Sequence, residues 1–400
     1  MRLYLTLLLL LNLSIFLPKA KAQEWVQVSS LPSSFNQTHH SFAFSFNDMG
    51  YIVTGNSDTG ERDDFYQYNP ITDSWSELAP FPGGARGFAI GDTWDGKAYF
   101  GFGNDGTSRL NDLWVFDPSD MSWTELASCP CLERTHPAMI AHNGKVFVGL
   151  GGSSTGNLKD WWEYDIASDT WSQKDDLPSL PRHHPYQFGI GDHVYTGLGH
   201  GNDIFNDWFR YDIAEETWTQ VASLPAEGRV AGTQFSYNGF GYVLSGDGDD
   251  HGSMDTGEFW FYDPLMDTWE ELPPHPEGSR WAPASFIIDG EVYIINGTSF
   301  SEYVTEIYKF NLNSILSVEE LTDLSIDVYP NPSNDIVYIS LEKDQLKKVE
   351  LYSITGKLLL NNYLNADSYN LNIDGYASGY YYLRVYNQNG DVVNLKIIKN

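Results

Sequence analysis

The sequence predicts an all-β protein: a six-bladed β-propeller closed by its N-terminal strand, followed by a small C-terminal β-sandwich. Three observations lead there. A Trp segment recurs at Trp25, Trp75, Trp123, Trp171, Trp218 and Trp269, at intervals of 50, 48, 48, 47 and 51 residues. An aromatic residue stands seven positions before five of these, at Tyr68, Phe116, Tyr164, Tyr211 and Tyr262. Near residue 320 both the motifs and the charge change. A period of about fifty marks a repeat architecture, in which no unit buries its apolar face alone.

Each unit reads as four antiparallel strands. Strand a is apolar, at 41–46, 87–90, 137–141, 186–190, 233–237 and 284–288. Turns such as Asn143-Gly144, Asn238-Gly239 and Asp289-Gly290 follow, which are strong hairpin signals. Strand b then runs to a glycine in register: Gly55, Gly103, Gly151, Gly199, Gly246 and Gly297. An acidic residue opens the aromatic strand c, at Asp64, Asp112, Asp160, Asp207, Glu258 and Glu306, and strand d starts at the repeat Trp. The last unit has strands a, b and c but no Trp strand, and the orphan Trp25 segment supplies it. Pairing the two joins the ring and removes an open edge.

These glycines, the acidic-aromatic strand c, the Tyr-x6-Trp spacing and a leading Arg resemble the kelch repeat over about 290 residues. The family's double glycine is complete only at Gly151-Gly152; elsewhere Asn56, Asn104, His200, Asp247 or Thr298 takes the second place.

Residues 1–22 read as a secretory signal peptide: Arg2, an apolar run from Leu3 to Leu17, and Ala20-Lys21-Ala22 as the cleavage site. No membrane span is expected in the mature protein. The formal net charge of −31 repels phosphate backbones and excludes nucleic acid as a natural partner. Cys129 and Cys131, two apart around Pro130, are expected as free or loosely oxidised thiols in an exposed turn.

Residues 317–323 form a polar linker, and 324–400 a separate β-sandwich with nine acidic and seven basic residues from Leu321 on. Its Val328-Tyr-Pro-Asn-Pro332 opening, Tyr352-Ser-Ile-Thr-Gly-Lys357 hairpin, Gly379-Tyr-Tyr-Tyr-Leu383 strand and final Lys396-Ile-Ile-Lys399 resemble the C-terminal sorting domain of type IX secretion in Bacteroidetes. The resemblance implies export across the outer membrane by that machinery. The domain is then usually removed, and the cargo is released or attached to surface lipopolysaccharide.

In an antiparallel four-stranded unit the d–a and b–c connections emerge on one face, and the longer b–c loops make it the recognition face. Arg86, Arg134, Arg182, Arg229 and Arg280 each lie 17 residues before the strand-b glycine, with Thr38 in that place in the first unit. Two positions on stand His40, Phe88, His136, His184, Ala231 and Ala282, and Trp281 sits beside them. This column is expected to ring the channel mouth. Two roles are open for the arginines: bonding to carbonyls of neighbouring blades, as the kelch resemblance implies, or selecting an acidic or polyhydroxylated ligand with aromatic stacking.

No cofactor and no metal are expected. The mouth histidines come from three units without short ligand spacing, and the loop with Asp247, Asp249 and Asp250 lacks an EF-hand pattern. No Gly-x-Ser-x-Gly elbow or catalytic Cys is present. The resulting expectation is a monomeric, exported binding module with a glycan or protein ligand. Its rivals are a sugar-modifying enzyme of the sialic acid mutarotase (N-acetylneuraminate epimerase) type and a structural surface or adhesin component.

Overall fold

The computed structural model of the chain describes residues 25–314, 326–341, 344–353, 358–388 and 392–399. The expected signal segment (1–22) and linker (317–323) lie outside the described residues. Regular structure among the described residues is β-strand, apart from one 3-10 turn at Leu312–Ser314. No helix among them is long and apolar enough to cross a membrane.

Residues 25–314 form six four-stranded antiparallel sheets. Strands a to d are Phe42–Phe46, Met49–Ser57, Gly60–Asn69 and Ser74–Glu77 in the first. They are Ile90–Trp94, Lys97–Gly101, Leu113–Asp117 and Ser122–Leu126 in the second. The third has Ala138–His142, Lys145–Gly149, Trp161–Asp165 and Thr170–Lys174, and the fourth Tyr186–Ile190, His193–Gly197, Trp208–Asp212 and Thr217–Val221. The fifth has Thr233–Tyr237, Phe240–Leu244, Gly257–Asp263 and Thr268–His275. The sixth takes Ala284–Ile288, Glu291–Ile295 and Tyr308–Asn311, and its fourth strand is Val26–Gln27. Gln27 pairs with Tyr308 and Val26 with Lys309. Each strand a packs against that of the next sheet, and the sixth packs against the first.

In four of the six sheets the repeat Trp fastens its sheet to the one before it. Trp171 donates its indole N–H to the Ala127 carbonyl at 2.7 Å, Trp218 to Asp175 at 3.0 Å and Trp269 to Ala222 at 2.9 Å. Trp25 makes the same kind of bond to Pro273 at 2.8 Å, so the first described strand does the work of the missing one. The preceding aromatic is the cross-strand partner of the Trp, as in Tyr164 opposite Trp171. Its hydroxyl donates to Asp169 (2.6 Å), and that carboxylate also accepts from the Ala127 backbone N–H (2.9 Å). The seven-residue spacing thus records one cross-strand pair and its bond to the neighbouring sheet.

Two expectations need correction. Strand a of the second sheet is Ile90–Trp94, not 87–90. Phe88 holds φ +57°, which interrupts an extended ladder, and the Asp95-Gly96 turn (φ +48° and +74°) closes the hairpin later. Cys129 and Cys131 are joined in a disulfide and buried, not exposed thiols. The turn around Pro130 brings their Cα atoms to 5.1 Å, inside the range a disulfide spans.

The C-terminal residues form a three-stranded sheet (Ile326–Tyr329, Ile336–Leu341, Ser368–Asn372) and a four-stranded one (Leu358–Ala366, Leu346–Ser353, Gly379–Asn387, Val392–Lys399). Val337, Ile339 and Leu371 from the first share one core with Val349, Leu383 and Val385 from the second. That core is separate from those of the six sheets.

Trp25→Ala removes the sheet-to-sheet bond and packing against Phe259 and Phe310. We expect a loss of about 3 kcal/mol in urea unfolding, the low end for a truncated aromatic because this ring is half-buried. A loss near zero would show that the N-terminal strand does not hold the sixth sheet.

Candidate functional site

The d–a segment of each sheet crosses to its own b–c loop through short bridges, such as Thr135 to Gly152 and His183 to His200. The arginine column lies in that crossing, and all five side chains are at most 1% exposed. Arg86 is held by Asp112 at 2.8 Å, Arg134 by Asp160 at 2.7 Å, Arg182 by Asp207 at 2.5 Å and Arg229 by Glu258 at 2.6 Å. Arg280 pairs instead with Glu277 at 2.7 Å and donates to the Glu306 carbonyl at 3.0 Å. Carbonyls of Phe102, Leu150 and Leu198, each just before a strand-b glycine, accept a further N–H.

The expected fork of arginine donors facing a ligand is therefore not present. A guanidinium withdrawn from water needs a carboxylate beside it, and the acid that opens strand c provides one. The same carboxylates accept the indole N–H two residues on, from Trp114, Trp162 and Trp260. Those two bonds account for the acid-x-aromatic pattern of strand c.

Two residues after each arginine the backbone turns left-handed. His40, Phe88, His136, His184, Ala231 and Ala282 all have φ between +47° and +57°. Backbone N–H groups link several of them in a chain: His40 to Ala282 (3.0 Å), Ala282 to Ala231 (2.6 Å), His184 to His136 (3.1 Å) and His136 to Phe88 (3.0 Å). The register also needs a residue without a side chain: a Cβ on Gly151 (φ +90°) would lie 2.7 Å from the Thr135 carbonyl. The side chains of this circuit form a throat. The His136 and His184 ring centroids are 3.5 Å apart, Phe88 and His136 4.5 Å, and His40 and His184 5.0 Å. Trp281 lies against His184 at 5.2 Å and His40 at 5.7 Å.

Beyond the throat, between the six a strands, lies a cavity of about 460 Å³. Gln187 faces it, only 4% exposed, and neither its amide oxygen nor its amide nitrogen finds a partner among the described residues. Asp92 lines it too, accepting backbone N–H groups of Thr93 (2.7 Å) and Ala141 (3.0 Å). Burial pushes this carboxyl up to about 7 against those bonds, which pull it down.

On the other side of the throat the loop face carries more imidazoles. His183 lies near His200 (5.1 Å between ring centroids), His200 edge-on to His251 (4.9 Å), and His251 near Trp281 (5.1 Å). Tyr303 lies parallel to His39 with centroids 6.0 Å apart. Burial first, then neighbouring imidazoles, hold His40, His136 and His184 well below the usual histidine value, and His183 is lowered to about 4. Exposed Arg109 contributes to the lowering at His136 and makes no ion pair among the described residues.

Of the expected site residues, His40, His136, His184 and Trp281 come together at the throat, while Arg86, Arg134, Arg182, Arg229 and Arg280 are spent inside the fold. Asp247 is buried with its Oδ1 unpartnered and Asp249 and Asp250 lie on the exposed loop, so these three do not gather as ligands. Arg109, His200, His251, Tyr303, Asp92 and Gln187 were not anticipated. His200 holds the second glycine position of its repeat, and that position bridges to the residue before the throat in every unit.

Residues 327–400 match a family described as the secretion system C-terminal sorting domain. The chain thus carries the sorting domain of type IX secretion, which directs export to the cell surface or beyond and engages that machinery. An ulvan lyase of Nonlabens ulvanivorans is 33% identical over 107 residues, which cover 26% of this chain and 20% of that protein. This chain therefore spans a fifth of that relative's length.

Asp160→Ala strands the Arg134 guanidinium without its carboxylate, and we expect a loss of about 3–5 kcal/mol. Thermal or urea unfolding reads it, with Asp176→Ala at the exposed Lys159 pair as a control that leaves the midpoint unchanged. For Asp92, the folded group ionises near 7 and the unfolded one near its ordinary value, about 4. Its contribution to stability is full at low pH and is lost as pH rises through that window. The melting point of Asp92→Asn relative to the unsubstituted protein should therefore rise from pH 5 to pH 8. A flat difference would mean that the carboxyl ionises normally.

Proposed function

We propose that residues 23–316 are a six-bladed propeller of the kelch type, exported as a binding module for a small acidic carbohydrate. Signal peptide removal after Ala22 and the sorting domain at 324–400 belong to the same reading. The pairing of Val26–Gln27 with Tyr308–Asn311 and the closed circuit of a-strand contacts support the propeller. The family's repeat motifs support its kelch character.

One observation carries the ligand class: a cavity of about 460 Å³, in the range of small-molecule sites, with aromatic and imidazole faces and an unpaired buried amide at Gln187. Sugars present apolar ring faces and a belt of hydroxyls, which such a wall complements. Arg109 at the loop face supplies the positive charge for an acidic sugar. The likeness to an ulvan lyase supports a carbohydrate as the ligand. The arginines that a mutarotase reading placed at the mouth are bonded to carboxylates, which favours binding over that chemistry. An adhesin scaffold has no use for an unpaired amide in a cavity.

The test is an acidic-glycan array followed by calorimetry on the best ligand. Trp281→Ala and Gln187→Ala should each weaken binding about 10-fold, the equivalent of about 1.4 kcal/mol. Absence of any glycan ligand, or affinity unchanged in both variants, would overturn the reading. Accelerated anomeric exchange by NMR would favour the mutarotase instead.

A further inference from the structure

Three of the six throat positions carry imidazoles, and those three converge. The ligand nitrogens of His40, His136 and His184 lie within 4.8 Å of one another. His40 Nε2 and His184 Nε2 stand 2.8 Å apart, and the His136 ring lies against His184. We propose that His40, His136 and His184 form a site for a divalent transition metal of the zinc class, with a fourth coordination position left open.

Nitrogen accounting supports the site. A neutral imidazole has one N–H and one lone pair. His136 Nε2 is buried without a partner among the described residues, and polar atoms so placed are rare in a finished fold. At the centre of the trio a cation would accept one lone pair from each ring. No carboxylate or thiolate enters the set, which selects against calcium and magnesium, whose sites are built from oxygen.

The frame suits the task. The three residues are presented by three different sheets, and each backbone is left-handed with its N–H bonded to the neighbouring throat residue. His39 Nδ1 lies 2.5 Å from His40 Nδ1, so the second nitrogen of that ring already has an orienting partner. Metal–nitrogen bonds of about 2.0–2.1 Å in a tetrahedral set put nitrogens about 3.3 Å apart. The His40–His184 pair thus has to open by about 0.5 Å on loading, which a small ring rotation supplies. All three residues line the axial cavity, so an ion there is open to solvent and to a ligand.

The experiment uses the secreted chain, purified without a polyhistidine tag, stripped with a chelator and titrated with Zn²⁺ against a chromophoric competitor. One zinc per chain and a raised melting point are expected. His136→Ala and His184→Phe are tolerable in the frame, because Ala231, Ala282 and Phe88 already occupy equivalent positions. Each should weaken zinc binding by at least about 100-fold, the upper end of what loss of an outer partner costs. His193→Ala, outside the throat, should leave binding unchanged, and Ca²⁺ and Mg²⁺ should give no shift. Absence of stoichiometric zinc binding by the unsubstituted chain overturns the proposal. So does binding that persists unchanged in both throat variants. The titration contains no sugar, so its outcome is independent of the carbohydrate reading.

Discussion

A buried guanidinium that has left water must be met by a carboxylate, and four times in this chain the acid that opens strand c meets it. An arginine from the d–a crossing reaches the acid that opens strand c and the carbonyl that precedes a strand-b glycine, or the acid alone in the case of Arg229. One side chain thereby fixes the crossing, strand b and strand c to each other. Such a pair adds little net stability over a well-packed apolar substitute, yet breaking it is costly. Its use is in register: only one alignment of the three segments satisfies the fork. Where the chain closes on itself the charge disappears. Thr38 takes the arginine's place and shares a neutral network with Ser41 (2.9 Å) and Asn296 (2.8 Å).

The throat follows from this constraint. Two residues beyond the arginine the backbone has one path, left-handed, and His40, His136, His184 and Ala282 turn their N–H to a neighbour in the circuit. That path does not depend on what the side chain is, as the run His, Phe, His, His, Ala, Ala shows. Function can therefore be written there without disturbing the frame. The result is asymmetric: four rings crowd one side of the throat, and on the other Trp281 packs over two buried methyl groups. Six similar sheets thus yield one off-centre site.

Much of the frame could be read from residue spacing. The Tyr-x6-Trp interval is a cross-strand pair, and the orphan Trp25 is the missing fourth strand. The arginine column is visible, but its destination is not, because a salt bridge across 25 to 29 residues leaves no local signature. Asp92 escaped notice for a plainer reason. The apolar run 87–90 reads as strand a of the second sheet, whereas the strand ends at Trp94 and Asp95-Gly96 makes the hairpin turn. That shift moved Asp92 from the expected turn into the cavity wall. The convergence of His40, His136 and His184 depends on sheets far apart in the chain, so ligand spacing could not reveal it.

The charge balance at the axis limits what can be bound there. The chain as a whole is strongly acidic, at −31, but the axial groups are nearly neutral at pH 7. The imidazoles are held below their usual value and stay uncharged, while Asp92, raised to about 7, is about half protonated. Both shifts have burial as their largest cause, and they remove charges of opposite sign. An anion entering this cavity meets hydrogen-bonding groups without net attraction, inside a shell that repels it. Discrimination in favour of an acidic ligand must then come from Arg109 at the loop face, or from a cation held by the imidazoles. The throat gathers three lone-pair donors without an anion among them, and a bound cation there would reverse the local sign of the field.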